Sequence, residues 1–132
     1  MKILVPLGRF LFTLIFLPTI VTHFSSGTIQ YAASAGVPIP QILVPLSGII
    51  AFLGGISILL GYKARIGAFL LIVFLIPVTL YMHHFWTFQD PTMQQMQKVN
   101  FMKNVSMIGA ALLIFYFGSG PYSLEKNDRI IY

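Results

Sequence analysis

Three histidines, three carboxylates and no cysteine limit the chemistry this chain can do. Without a thiol there is no disulfide, no thiolate metal site, no CxxC redox pair and no cysteine nucleophile. The acids are Asp90, Glu125 and Asp128, two of them near the C-terminus, so paired-carboxylate hydrolysis is not expected. The histidines carry more promise. His23 and His83 each end a long apolar run, His84 follows, and Trp86, Gln89, Asp90, Lys103 and Asn104 belong to the same level. An imidazole exchanges protons near neutral pH, and an ammonium and an amide stabilise negative charge developing on an oxygen. His23, His83, Lys103, Asn104 and Trp86 are therefore the candidate ligand-binding residues. The head of a quinone-like lipophile would suit them, with its tail lying between helices.

Each of these residues has a plainer reading. Trp86, with Tyr81 and Phe85, also fits an aromatic belt at a membrane interface. Lys103 is able to snorkel, and His84 to sit in water. Asn104, just inside a span, is harder to set aside, because an amide in hydrocarbon needs a partner. The three histidines, Asp90 and the Met93/Met96 pair match no dedicated metal-ligand spacing, and methionine often fills gaps. Neither a metal nor a haem held by His23 and His83 is expected. No span contains an acid, so proton-coupled transport has no support.

The elements that position these residues follow from composition. Hydrophobic residues make up 57% of the chain and charged residues 8%, against ~25% charged in soluble domains; mean hydropathy is +0.85. Four apolar runs, at about 3–24, 42–60, 66–82 and 101–117, account for this. A helix needs ~20 apolar residues to cross ~30 Å of hydrocarbon. The fold class expected is all-α: one domain, an integral membrane four-helix bundle. A cleaved signal peptide is the competing reading of the first run, but the run continues to Phe24, and Ala33-Ser34-Ala35 comes too late for a cleavage site.

The connections and the charges set the rest. Gly61–Arg65 is a tight basic turn, Thr28–Ala35 has room for a short interfacial helix, and Gly36-Val37-Pro38-Ile39-Pro40 breaks the chain. Asp90-Pro91 is an N-cap followed by proline at the first helical position. The last helix is thus predicted to run from Pro91 to Phe117, where Gly118-Ser119-Gly120-Pro121 stops it. Lys2, Arg9, Lys63, Arg65, Lys126 and Arg129 on one side outweigh Lys98 and Lys103 on the other. The positive-inside rule therefore gives N-in/C-in, with 118–132 a cytoplasmic tail. Arg9, Lys63 and Arg65 are structural or topological residues on this reading, Arg9 anchoring the inner interface or bonding a freed carbonyl. The formal net charge of +5 is then topology signal, and nucleic acid is not a partner. Ser47, Ala51 and Gly55, and Ser106 and Ala110, are small residues at four-residue spacing suited to close helix packing. Pro18 and Pro77 lie deep enough to kink their spans.

Several patterns resemble the DoxX family of small bacterial four-helix membrane proteins. Gly8-Arg9 opens the first span, and Tyr31 precedes Gly36-Val37-Pro38. Gly54-Gly55 leads to Gly61 and Arg65. His83-His84-Phe85-Trp86 is similar to that family's H-x-F-W, Asp90-Pro91 follows, and Phe101-Met102-Lys103-Asn104 is similar to its F-x-K-N. Gly118–Ser123 resembles the closing segment. The chain departs at Ala51, where many such proteins carry glutamate, and at Ile20–His23, where many carry a glycine-rich stretch ending in lysine. The resemblance implies a multi-pass protein of the bacterial inner membrane, commonly labelled an oxidoreductase and linked to oxidative or thiol stress.

These readings lead to a membrane subunit of a redox or stress-response system with a quinone-like lipophile site on the outer side; the cofactor itself stays open, a quinone being one candidate. Membrane lipids, a soluble or membrane redox partner and further copies of the chain are its expected partners. No self-contained catalytic motif is present. A non-catalytic scaffold or accessory protein is the alternative, followed by a lipid or small-solute carrier.

Overall fold

The computed structural model describes residues 1–125, and every regular element among them is helical. The elements are α1 (Leu4–Thr13), α2 (Thr19–Thr22), α3 (Ser26–Ser34), α4 (Pro40–Leu60), α5 (Ala64–Met82) and α6 (Pro91–Phe117), with one 3-10 turn at Phe85–Thr87. Lys126 and Arg129, used above to orient the chain, lie outside the described residues, as does the expected tail beyond Glu125.

Three segments are long and apolar enough to cross a membrane: Pro40–Leu60, Ala64–Thr87 and Pro91–Phe117. The first run, expected as one span kinked at Pro18, is broken into α1 and α2. Pro18 has no N–H and its ring crowds the carbonyl four residues back, so the α-helical ladder stops after Thr13. The chain turns through Phe16 N–H to Thr13 O (3.0 Å) and Thr19 N–H to Phe16 O (3.2 Å) before α2 begins. The Thr19 hydroxyl lies 2.5 Å from Phe16 O and 2.9 Å from Gly48 O, which ties the break to α4. Pro45 and Pro77, by contrast, are carried inside α4 and α5.

Caps decide where the other helices begin. Ser25 accepts from Thr28 N–H to start α3, close to the short helix expected at Thr28–Ala35. Asp90 accepts from Thr92 N–H (3.1 Å), with Pro91 next, to start α6. At 27 residues, α6 is about 40 Å long and exceeds the hydrocarbon core.

Packing follows small residues. α5 lies between α4 and α6, and Ala51, Ala68 and Ala111 have no exposed surface. A Cβ on Gly54 would stand 2.8 Å from Gly67 O, and one on Gly67 would stand 2.7 Å from Ser57 Cβ, so only glycine lets α4 and α5 approach this closely. The first run descends along the other face of α4, where Phe16 Cβ would lie 3.2 Å from a Cβ on Gly55. Of the small residues expected to pack, Ala51 and Gly55 are buried, Ser47 and Ala110 half-buried, and Ser106 exposed. Leu53, Phe69, Ile76, Leu112, Leu113 and Phe117 point outward, the surface a lipid solvent requires.

The ends of the bundle differ. At the end carrying Lys63, residues 118–125 fold back across the helices. Leu124 N–H donates to Leu60 O (3.1 Å) and Glu125 N–H to Gly61 O (2.9 Å). Arg9, only 6% exposed, donates from Nη1 to Ser119 O (2.6 Å) and from Nη2 to Tyr122 O. A side chain on Gly61 would collide with both Arg9 and Ser123. Arg9 is therefore a buried clamp that binds carbonyls on the returning segment, and not an exposed interfacial anchor. Hydrogen bonds to a charged group contribute about 1.5–3 kcal/mol. Arg9→Met is expected to lower the local opening free energy of residues 118–125 by about 2 kcal/mol. Hydrogen exchange at the Leu124 and Glu125 amides measures this; unchanged protection there would refute the clamp.

Candidate functional site

The opposite end of the bundle, which carries the histidines, holds a cavity of about 530 Å³, inside the ~300–1,000 Å³ range of ligand pockets. Its wall is largely apolar. Val44, Leu46 and Ile50 come from α4, Val73, Phe74, Pro77 and Val78 from α5, and Ala32 with Val37 and Pro38 from α3 and the segment after it. Both His23 and His83 line it. Gly48 places His23 there: a Cβ at that position would collide with the Cβ of His23 and come within 2.7 Å of Thr19 O. The His23 ring then meets Phe74 edge-on, with centroids 5.8 Å apart.

A hydrogen-bonded chain supports His83. Its Nδ1–H donates to Gln97 Oε1 (2.7 Å), and Gln97 Nε2 donates to the Tyr31 hydroxyl (3.3 Å). Gln97 is 2% exposed, so α6, α5 and α3 meet through one amide whose both ends are satisfied, as a buried polar group requires. With Nδ1 committed, Nε2 of His83 remains an acceptor.

The other candidates lie elsewhere. Asn104 is buried, at 4% exposure, but it is not on the cavity wall, and its amide makes no hydrogen bond among the described residues. Lys103 is exposed on α6. Trp86, 56% exposed, packs edge-on against Phe85 and Phe101. His84 donates from Nδ1 to Tyr81 O (2.7 Å) and lies beside Trp86 and Phe88. The structure thus brings together His23 and His83 and leaves Lys103, Asn104 and Trp86 outside. Lys63 and Arg65 are exposed at the far end. No group of three or more His, Asp or Glu suited to a metal ion is found among the described residues.

Gln97 and Tyr31 are the residues that sequence reasoning missed. A usable signal existed for Gln97. Gln97, Asn104 and Ala111, the three buried residues of α6, are spaced by seven and so share one helix face. One heptad back from Asn104 points to Gln97. Tyr31 enters the sequence reading only as a motif residue ahead of Gly36-Val37-Pro38, with no spacing that ties it to His83 or Gln97.

Comparison with known proteins gives a consistent picture. The sequence matches the SURF4 family over residues 3–131. It is 34% identical over 101 residues to the inner membrane protein YphA of Escherichia coli (strain K12), covering 76% of this chain and 71% of that protein. It is 31% identical over 101 residues to the inner membrane protein YqjF of the same organism, covering 76% of this chain and 72% of that protein. It is 27% identical over 82 residues to the ER-derived vesicles protein ERV29 of Saccharomyces cerevisiae, covering 62% of this chain but 26% of that protein. No solved structure matches. The SURF4 match overturns the resemblance to the DoxX family, and with it the reading as a redox subunit carrying a quinone. The motifs behind that resemblance are turn glycines, helix caps and interfacial aromatics, which many helical membrane bundles need. With its apolar helices and these relatives, the protein is a multi-pass membrane protein.

The relay yields a stability prediction. Gln97→Leu removes both partners of the chain at once and leaves the His83 donor unmatched, at a cost of about 1–3 kcal/mol. Thermal unfolding in detergent should show a lower Tm than wild type, and Tyr31→Phe a smaller loss. Equal Tm values for all three proteins would show that the relay contributes nothing.

Proposed function

The chain belongs to the SURF4 family, and on that premise we propose that it is a non-catalytic accessory protein of the bacterial inner membrane, holding another molecule rather than transforming one. The cavity carries this reading. Its wall is apolar, and several of its polar side chains are already engaged within the protein: His83 with Gln97, His23 with Thr22, Thr28 with Ser25, and Ser47 with the Val44 carbonyl. Such a surface binds by burial of apolar area, with His23 and His83 supplying orientation. The yeast relative is named for ER-derived vesicles and not for a reaction, which supports a binding role. The two Escherichia coli relatives are named as inner membrane proteins, which supports the location.

In this reading the first run makes a fourth, broken crossing, with the Lys63 end inside and the histidine end outside. Exposed Lys2, Lys63 and Arg65 supply the inside charge; Arg9, being buried, adds structure and not topology signal. Because the chain has no cysteine, single cysteines report orientation without background. Gly27→Cys and Thr92→Cys should react with a membrane-impermeant maleimide on spheroplasts, and Tyr62→Cys only after permeabilisation. The reverse pattern sinks the orientation.

Function itself is testable by complementation of a deletion strain. Ser47→Phe, which fills the cavity, should fail to complement, whereas His23→Ala should retain function with at most a partial loss. A null His23→Ala beside a functional Ser47→Phe would place the activity in imidazole chemistry and overturn the holding role.

A further inference from the structure

The cavity has a shape and a depth that select its occupant. On α4, Ile50 lies about 15 Å along the helix from Pro40, and on α5, Phe74 lies about 12 Å from Met82, at 1.5 Å per residue. The cavity therefore starts at the histidine end and runs about halfway through a ~30 Å hydrocarbon core. Phe74, buried and packed edge-on to Phe16, closes the deep end. The side is open: Leu46, Val73 and Tyr81 on the wall are also exposed to the surroundings, at 39–47% together with Leu43. At that depth the surroundings are lipid tails. A water-soluble ligand would have to leave water and cross the interface to reach these walls; a lipid tail is already beside them.

The polar groups lie only at the shallow end. His23, Thr28 and His83 are on the wall there. His83 is fixed by Gln97 with Nδ1 as donor, which leaves its Nε2 to accept. Such an acceptor suits a head group that brings a hydrogen-bond donor, an ammonium or a hydroxyl, and has less to offer a carboxylate. α3, tied through Tyr31 to the same amide, covers this level.

We propose that the cavity is a binding site for one acyl chain of a bilayer lipid, with the lipid's donor-bearing head group held beside His83 and His23. This rests on the holding role above and names what is held. The site is entered laterally from the outer leaflet between α4 and α5, and the protein retains the lipid without chemical change to it.

Photo-crosslinking in proteoliposomes tests the assignment. The probe is a phosphatidylethanolamine with a diazirine in one acyl chain, and a second arm uses a free diazirine fatty acid. Peptide mapping should show adducts on Ser47, Ile50, Val73 and Phe74 about tenfold above those on the lipid-facing Leu112, Leu113 and Phe117, the ratio given by ~1.4 kcal/mol of preference. Ser47→Phe should remove the cavity adducts and leave those on α6 unchanged; Val73→Trp, a substitution at the exposed mouth, should do the same if Ser47→Phe fails to fold. The fatty acid should label the cavity less than the phospholipid does. Adducts spread evenly over the exposed helices, indifferent to both substitutions, overturn the lipid site. Stronger labelling by the fatty acid overturns the head-group assignment. If labelling is even but Ser47→Phe still fails to complement, the holding role stands and only its ligand is wrong. If the cavity labels but Ser47→Phe complements fully, the lipid site stands and the holding role falls.

Discussion

A guanidinium enclosed by backbone carbonyls holds this bundle shut. In hydrocarbon every polar group must be satisfied from within the protein, and a buried charge without partners costs several kcal/mol. The Arg9 Nε is buried without a hydrogen-bond partner among the described residues, but Nη1 and Nη2 meet that demand with the carbonyls of Ser119 and Tyr122. These follow α6, whose C-terminal end carries the negative pole of its dipole. Arg65 lies at the same end, with its Nε 3.2 Å from where a Cβ on Gly118 would stand. The geometry in turn imposes Gly61 at the α4–α5 turn, because nothing larger fits between Arg9 and Ser123. A single cation thus fixes the path of the first run, the turn between two long helices and the return of residues 118–125.

The two ends are built on opposite principles. One is sealed by backbone hydrogen bonds and charge. The other is held apart by the break at Pro18 and the short α3, and there the helices enclose space instead of filling it. The close approach of α4, α5 and α6 to one another lies in the Lys63 half and the middle, where Gly54, Gly67, Ala68 and Ala111 are buried, while at the histidine end Gly48 brings only the first run close to α4. Only at the open end does a polar relay, His83–Gln97–Tyr31, replace apolar contact as the link between helices.

The long elements were legible because the bilayer imposes a simple rule of length and apolarity. The boundaries of α6 were readable from Asp90-Pro91 and Gly118, since capping is local chemistry written in adjacent residues. The cavity was partly legible: topology put His23 and His83 at one level, and they do share a wall. Lys103 and Asn104 were read at that level too, but Lys103 is exposed on α6, and Asn104, on the same face as Gln97, lies two turns or about 10 Å further along the helix. Gln97 hid in a polar stretch where glutamines at 94, 95 and 97 look alike until the helix phase is known. Arg9 read as an anchor or as a donor to a carbonyl freed nearby, because its actual partners lie more than a hundred residues away, on carbonyls that no side-chain pattern announces. The family resemblance failed for a related reason: short motifs of turns and caps report what bundles in lipid share.

That separation also sets an order of events. The hydrogen bonds of Arg9 join residues 110 and 113 positions apart, so α1 is locked by residues that are made only after α6. Until Tyr122 emerges, a cation on the leading helix has no carbonyls to meet, and the three long helices must insert and pair without it. Closure therefore requires that synthesis has passed α6, and a chain arrested earlier carries an arginine without these two carbonyl partners.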